Sequence, residues 1–369
     1  APQQKHNVNI SGGTEKVKKV WQELKRRGTP VSAFWLQDWV GRRQTAIGSQ
    51  LWWNWELDQE HYPDWDALRQ ELSDDGVRVL GYLNPFLVDV SMRPHQRNLY
   101  REAAQKGFLV KDASGAIYPI QNTDFAAGML DLSRLEARQW FQKVIQEELI
   151  EKAGFSGWMA DYAEALPFDA ALFEGQAFEA HNQYPALWSH LQLDAVQTEA
   201  CQECFFFARS GYLNSLQKTP LYWLGDQMTD WSSEDGLKSA LKAQISGALS
   251  GVALTHSDTG GYTSLAQLGI HRSRELLYRW LELNAFTAIL RTHEGNQPEA
   301  NLQFYSDSET YAFFDAMAKV YAALYTYRSK LFKEAEQSGW PILRPLILHY
   351  PSDAQVIALH DQFLLGQDF

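Results

Sequence analysis

Cysteine is scarce in this sequence, which limits metal and redox chemistry. The 369 residues contain two cysteines, Cys201 and Cys204, spaced C-x-x-C. A zinc site needs two further ligands at suitable spacing, and the sequence offers none. A redox C-x-x-C pair normally opens a helix after a strand, whereas this pair precedes the apolar run Phe205–Phe207. We therefore predict reduced structural cysteines in a cytoplasmic protein, and no metal site.

The sequence also lacks a long hydrophobic run and an excess of positive charge. No stretch approaches the roughly 20 apolar residues that a membrane-spanning helix needs. Residues 1–5 are polar and show no signal-peptide pattern. The chain does not begin with Met, so we expect a fragment or a processed chain. The net charge of −12 argues against nucleic acid and anionic membranes as partners, but it leaves an anionic small molecule open.

Nucleotide-binding glycine motifs are missing as well, which disfavours the usual chemistry of a doubly wound open sheet. That open sheet remains the structural alternative to a barrel. Strand-like and helix-like segments alternate, which indicates a parallel sheet with crossover helices, and about eight such units predict an α/β fold, the (β/α)₈ TIM barrel. The predicted strands are Asn7–Ile10, Val31–Asp38, Val77–Asn84, Met129–Leu132, Phe155–Asp161, Cys204–Ser210, Leu221–Asp226 and Val252–Asp258.

Helical periodicity fills the intervals between these strands. It predicts helices over Thr14–Arg27, Leu237–Leu249 and Leu265–Leu290. Another helix follows the capping box Ser133–Glu136 and ends at Gly154.

The last 30 or so residues change character. Trp340–Tyr350 and Ala354–Gly366 look like β-strands. We predict a catalytic barrel over residues 1–338, and over 339–369 the strands that lead into a truncated C-terminal β-domain.

Polar side chains close most of the apolar strands. Functional groups of a barrel gather at the carboxyl ends of its strands, although turn residues such as Asp and Asn would collect there too. Arg and Gln are not typical turn residues, which favours function. The strand-end residues are Gln37, Asp38, Asn84, Asp131, Asp161, Arg209, Asp226 and Asp258.

Asp161 and Asp226 are the predicted catalytic pair. Two carboxylates that face one bond are what glycoside hydrolysis requires, one as nucleophile and one as proton donor. Arg209, on an intervening strand, would bind sugar hydroxyls and keep one carboxylate ionised. The 14 tryptophans suit a carbohydrate site, because indoles commonly stack on sugar rings, though many are simply core residues. The alternative is two capping or turn aspartates with a structural arginine.

Several motifs resemble glycoside hydrolase family 31, whose members are retaining α-glycosidases. Trp158–Glu164 resembles its nucleophile motif, Phe207–Gly211 its substrate-binding arginine motif, and Trp223–Asp226 its acid/base motif. His256–Tyr262 and Arg291–Asn296 resemble its late barrel motifs. The resemblance implies Asp161 as nucleophile and Asp226 as general acid/base, with no cofactor. It also implies that the usual N-terminal β-sandwich is absent here. Trp158 is expected to form a wall of the sugar pocket.

Within the family, the segments Trp35–Trp39, Trp52–Trp55, Gly225–Gln227 and Gly260–Tyr262 resemble bacterial sulfoquinovosidases. The resemblance implies that sugar hydroxyls are held by Gln37, Arg209, Asp258 and His293. It implies that Trp53 and Tyr262 face the sulfonate at C6, through the indole N–H and through a water-mediated phenol contact.

Gln50 departs from this pattern, because sulfoquinovosidases carry at that position an arginine that pairs with the sulfonate. The absence of that arginine would cost on the order of 1.5–3 kcal/mol in binding free energy unless Arg42 or Arg43 compensates. We expect a retaining α-glycosidase that hydrolyses α-sulfoquinovosides by double displacement. The alternatives are a retaining enzyme for a neutral α-glucoside and a non-catalytic carbohydrate-binding barrel. The expected partner is a small-molecule glycoside, and a homo-oligomer stays open.

Overall fold

The computed structural model describes residues 6–45, 48–93 and 95–369, in which short strands alternate with helices. The strands are β1 His6–Asn9, β2 Ala33–Trp35, β3 Arg42–Thr45, β4 Gly48–Leu51, β5 Arg78–Leu83, β6 Phe86–Leu87, β7 Ile120–Asn122, β8 Phe125–Met129, β9 Gly157–Ala160, β10 Phe205–Ala208, β11 Tyr222–Trp223, β12 Thr255–His256, β13 Leu290–Arg291, β14 Leu343–Arg344 and β15 Leu364–Leu365. The helices are α1 Thr14–Arg27, α2 Trp65–Asp74, α3 Leu99–Lys106, α4 Leu135–Val144, which continues as a π-helix over Ile145–Lys152, α5 Ala177–Ala180, α6 Tyr184–Val196, α7 Leu237–Leu249, α8 Arg274–Asn284, α9 Ser308–Ala323 and α10 Tyr325–Ser338.

The chain divides into two compact units. The terminal unit comprises the described residues up to Ser11, together with Glu15–Phe34 and Leu221–Phe369. The central unit comprises Gly12–Thr14 and Trp35–Pro220. The predicted boundary between residues 338 and 339 stays a prediction.

Parallel strands form the core of the central unit. Strand β9 pairs in parallel with β5 on one side and with β10 on the other, so that Trp158 lies opposite both Gly81 and Phe206. All four residues of β9 are buried, as expected for a parallel strand that is covered on both faces. The close approach of Gly81 to the Phe155 ring leaves no room for a β-carbon. This packing fixes the strand that delivers Asp161.

The central unit also contains antiparallel strands. Strands β3 and β4 form a hairpin, and β8 lies between β6 and β7, with Met129 opposite Phe86. The prediction of a barrel strand over Met129–Leu132 is therefore wrong. Its apolar run includes the end of an antiparallel strand, and hydrophobicity alone does not distinguish the two kinds of pairing. Asp131, which follows, accepts hydrogen bonds from Ser133 and Phe173 as a turn residue.

Parallel strands also form the core of the terminal unit. Strand β1 pairs with β13, and β11 pairs with β12. The two pairs are joined where the amide of Thr259 donates to the carbonyl of Arg291 at 3.1 Å. Strand β13 was not predicted from the sequence. Near the chain end, β14 and β15 form an antiparallel pair.

The predicted helices over Thr14–Arg27 and Leu237–Leu249 are confirmed. The helix predicted over Leu265–Leu290 is wrong in its bounds, because Gly269 takes a left-handed conformation and Ser273 caps α8. The predicted capping box at Ser133 is also wrong. Its hydroxyl donates to the Asp131 carboxylate instead of capping the helix.

Cys201 and Cys204 form a disulfide, so the prediction that both stay reduced is wrong. Their Cα atoms lie 5.3 Å apart, within the range that a disulfide spans. No described helix is both long and apolar enough to cross a membrane.

Candidate active site

Asp161 follows β9 in the central unit and is held by three partners. It is 6% exposed. The Tyr82 hydroxyl donates to its Oδ2 at 2.6 Å, and the Tyr162 amide donates to its Oδ1 at 2.7 Å. The Arg209 guanidinium lies 3.3 Å from the same Oδ1. These donors fix the position of the carboxylate.

Burial raises the pKa of Asp161, and the partners of the carboxylate oppose that shift. The Arg209 charge lowers the pKa most, followed by the Tyr82 hydroxyl and the Tyr162 amide. The nearby charge of Glu164 raises it. A nucleophilic carboxylate must be ionised, so the hydrogen bonds to Asp161 favour its reactive form.

The backbone just after Asp161 is unusual. Tyr162 and Ala163 both have positive φ, 58° and 81°, in the left-handed region that side chains disfavour. The Ser210 hydroxyl donates to the Tyr162 carbonyl at 2.5 Å, and the Arg209 guanidinium stacks 4.4 Å from the Tyr162 ring centre. Such strained conformations persist only where the surroundings hold them, and they cluster at functional sites.

Arg209 joins Asp161 to Glu164. Its Nε and Nη2 both donate to Glu164 Oε1, at 3.0 and 2.5 Å, while Nη1 faces Asp161. Glu164, the last residue of the Trp158–Glu164 motif, therefore shares this arginine with the candidate nucleophile.

Trp158 is fully buried, and its indole N–H donates to Gln192 Oε1 at 2.7 Å. Its predicted contact with a sugar stays a prediction. Gln37, two residues after β2, is partly buried, and no described residue forms a hydrogen bond with its side chain. Gln50 Oε1 accepts a hydrogen bond from the Thr123 hydroxyl at 2.9 Å.

Trp53 is buried within an aromatic cluster. Its ring centre lies 5.2 Å from that of Phe86, 5.4 Å from that of Phe125 and 5.9 Å from that of Tyr162. Because Tyr162 follows Asp161 directly, the cluster connects Trp53 to the candidate nucleophile.

Asp258 is the centre of a buried polar group in the terminal unit. It is fully buried and forms an ion pair with Arg291, which is also fully buried. Arg291 Nε donates to His256 Nε2 at 3.0 Å. Burial and the Arg291 charge hold the pKa of His256 well below its usual range, so the imidazole is neutral. A neutral imidazole can accept from Arg291, whereas an imidazolium could not.

Asp226 follows β11 in the terminal unit and is exposed. The Thr263 hydroxyl donates to its backbone carbonyl at 2.8 Å, which fixes the main chain at this point. Burial lowers the pKa of Arg291, and the charges of Asp258 and, to a smaller extent, Asp226 oppose that shift. An exposed carboxylate can exchange protons with water, as a general acid/base must.

Tyr262 and His293 lie together in the terminal unit. Their ring centres are 4.8 Å apart in an edge-to-face arrangement. His293 Nδ1 accepts from the Gly295 amide at 2.9 Å. Burial and the charges of Arg291 and Arg272 hold the pKa of His293 well below its usual range, so it too is neutral. Its Nε2 therefore carries a proton that can be donated to a sugar hydroxyl.

Each unit therefore brings together part of the predicted set. Asp161 and Arg209 meet in the central unit, and the terminal unit pairs Tyr262 with His293. Tyr82 was not predicted from the sequence as a partner of Asp161. One signal was available, since Tyr82 lies two residues before Asn84 and so on the same face of the strand. The roles of all predicted site residues stay predictions.

No group of three or more His, Cys, Asp or Glu side chains among the described residues could hold a metal ion. That no cofactor is needed remains a prediction.

Parallel strands with acidic residues at their carboxyl ends occur in many classes of enzyme, including those that cleave glycosides, and comparison with known proteins identifies the class. Residues 3–332 match the family described as the glycosyl hydrolases family 31 TIM-barrel domain. The chain belongs to this family, and the predicted barrel fold is confirmed.

The curated relatives include two bacterial proteins named sulfoquinovosidase. That from Escherichia coli K12 is 42% identical over 363 residues, which is 98% of this chain and 52% of the relative. That from Agrobacterium fabrum is 39% identical over 350 residues, or 94% of this chain and 51% of the relative. The chain thus spans about half the length of these relatives.

One solved structure is a family 31 sulfoquinovosidase from E. rectale in complex with an aza-sugar inhibitor. It is 36% identical to this chain and superposes with a TM-score of 0.93. The match covers 99% of this chain and 54% of the chain in the solved structure.

Proposed function

We propose that this chain is the catalytic barrel of a retaining α-glycosidase that hydrolyses α-sulfoquinovosides. Asp161 attacks the anomeric carbon while Asp226 gives its proton to the leaving oxygen, and a covalent glycosyl ester forms. Asp226, now ionised, takes a proton from water, whose oxygen displaces Asp161 from the sugar. The sugar leaves with its original anomeric configuration after two inversions.

The observation that carries the proposal is the environment of Asp161. A buried carboxylate costs several kcal/mol unless it is well paired. Here it receives a hydroxyl, an amide and a guanidinium, and two strained residues follow it. A turn or capping aspartate would need none of this. The same environment argues against a non-catalytic binding barrel, which would be free to lose either Asp161 or Asp226.

The sulfonate specificity rests on different support. Two relatives at about 40% identity are named sulfoquinovosidase. Trp53, which the resemblance to bacterial sulfoquinovosidases implies as a sulfonate contact, lies in the aromatic cluster beside Tyr162.

Gln50 favours a second candidate, a retaining α-glucosidase that acts on a neutral α-glucoside. Its neutral amide is bonded to Thr123 and offers an anionic group no charge. In either case the proposed partner is a small-molecule glycoside, and we propose a cytoplasmic location.

The test uses 4-nitrophenyl α-sulfoquinovoside and 4-nitrophenyl α-glucoside with the wild type and with Asp161→Asn. We expect the wild type to prefer the sulfoquinovoside, and Asp161→Asn to lose activity on both substrates. Asp66→Asn is the control, because that carboxylate is 86% exposed on α2. A preference for the glucoside would overturn the sulfonate specificity. Background release by wild type and variant alike would overturn the catalytic proposal.

A further inference from the structure

Three arginines lie near Trp52 in the β3–β4 region of the central unit, two of them with the guanidinium over its ring. Arg42 and Arg43 lie on strand β3, and the Arg93 guanidinium lies 5.3 Å from the Trp52 ring centre. Such a concentration of positive charge is unusual in a chain of net charge −12. Where each charge finds its counterion therefore bears on what this region binds.

Two of the three arginines have carboxylate partners. Arg42 Nε lies 3.1 Å from Oδ2 of the fully buried Asp38. Arg93 Nη2 lies 2.6 Å from Asp58 Oδ2. These two side chains are engaged in holding the surrounding loops.

Arg43 differs from both. Its guanidinium lies 3.5 Å from the ring centre of Phe125 and 4.2 Å from that of Trp52. Its Nε and Nη2 both donate weakly to the Leu51 carbonyl, each at 3.3 Å. In the described part of the chain it has no carboxylate partner, and its Nη1 makes no hydrogen bond.

The charge of Arg43 is also poorly compensated. Burial, and then the nearby charge of Arg93, lower the pKa of Arg43 to about 10. The side chain is nevertheless cationic at neutral pH. An anion placed against it would favour the charged form and so raise this pKa again.

Arg43 is the cross-strand neighbour of Gln50. The two residues are directly opposite in the hairpin register, so their side chains share one face. Position 50 carries no positive charge, but the residue directly opposite it on the neighbouring strand does.

The same aromatic cluster offers a second hydrogen-bond donor. The indoles of Trp52 and Trp55 donate to backbone carbonyls, of Arg42 at 3.1 Å and of Phe86 at 3.0 Å. The Trp53 indole N–H makes no such bond with any residue that the structure describes. Trp53 packs on the Phe125 ring that Arg43 also contacts, and on Tyr162 beside the candidate nucleophile.

We propose that Arg43 supplies the positive charge that binds the sulfonate of the substrate, in place of the arginine expected at position 50. The inference rests on the proposed function. Phe125 and Trp52 hold the guanidinium, and its Nη1 edge donates to sulfonate oxygens together with the Trp53 indole. Arg43 is thus a specificity-determining residue of the proposed reaction.

The test is Arg43→Gln, assayed on 4-nitrophenyl α-sulfoquinovoside and 4-nitrophenyl α-glucoside. Loss of one charge-assisted contact should lower kcat/KM for the sulfoquinovoside by about tenfold to a hundredfold, mostly through KM. The value for the glucoside should stay within about twofold, since that substrate has no anion. Arg101→Gln is the control, because its side chain is 60% exposed and paired with Asp89 on the surface.

A relocated charge provides the second variant. Gln50→Arg in the Arg43→Gln background restores a cation on the same face of the hairpin. We expect it to recover most of the preference for the sulfoquinovoside. Thermal unfolding of each variant shows whether the protein remains folded.

The outcomes separate the two proposals. A wild type that does not prefer the sulfoquinovoside overturns the proposed function, and this inference with it. A wild type that prefers it, with an Arg43→Gln variant of unchanged preference, overturns this inference alone. Equal losses on both substrates would mean that Arg43 only supports the fold. A folded double variant without recovered preference would also contradict the inference.

Discussion

Removing the Tyr82 hydroxyl should raise the pH at which the protein becomes active. Tyr82 is buried, and its hydroxyl donates to Asp161 Oδ2 at 2.6 Å. No other described residue donates to that oxygen. Tyr82→Phe keeps the ring and its packing, so the change acts mainly on the ionised form of Asp161.

The size of the effect follows from that one bond. A hydrogen bond to a charged group contributes about 1.5–3 kcal/mol, and one pKa unit corresponds to about 1.36 kcal/mol. The pKa of Asp161, already raised by burial, should therefore rise by a further one to two units or so. Asp161 must be ionised to attack, so activity is lost as pH falls through its pKa. A higher pKa moves this loss to higher pH.

The assay is kcat/KM against pH for the preferred α-glycoside. We expect the acid limb of Tyr82→Phe to lie about one to two pH units above that of the wild type. Tyr118→Phe is the matched control, since Tyr118 donates to Asp169 at 2.9 Å in an exposed pair. An acid limb that stays in place, or moves to lower pH, would refute the assignment of Asp161 as the titrating nucleophile.

Two further substitutions test the surroundings of the site. Glu164→Gln should move the acid limb to lower pH, opposite to Tyr82→Phe, because the charge of Glu164 raises the pKa of Asp161. The same pH profile measures it, and a shift to higher pH would contradict the electrostatics. Gly81→Ala should destabilise the fold by about 1–3 kcal/mol, because its β-carbon would lie 2.6 Å from the Phe155 ring. The control is Gly247→Ala on α7, which should stabilise the fold by about 0.5–1 kcal/mol because a helical glycine is replaced. Denaturant unfolding measures both variants. If the Gly81→Ala variant were as stable as the Gly247→Ala variant, Gly81 would not be tightly packed.

The alternation of strands and helices could be predicted from the sequence, because buried parallel strands are mostly apolar and the helices have a regular hydrophobic period. It misplaced one barrel strand for a physical reason. Three of the four residues in Met129–Leu132 are apolar, as in a parallel strand, and Leu290–Arg291 is too short for any period to appear. In both cases the kind of strand is set by its pairing partner, which lies far away in the sequence.

The candidate site shows the same limit. The position of Asp161 at a strand end followed from local pattern, but its partner Tyr82 lies on a neighbouring strand and 79 residues away. The sequence offered Arg42 and Arg43 as compensation for Gln50 but gave no basis for choosing between them. Their contacts in the structure distinguish the two. Arg42 is paired with Asp38, whereas Arg43 Nη1 makes no hydrogen bond with a described residue.

The measurement that tests the central proposal most directly is covalent labelling of the nucleophile. A fluorinated glycosyl fluoride of the preferred sugar, whose ester is slow to hydrolyse, should inactivate the protein with time. Peptide mass spectrometry should then place one sugar on Asp161. Inactivation with the sugar attached to a different carboxylate would contradict the account.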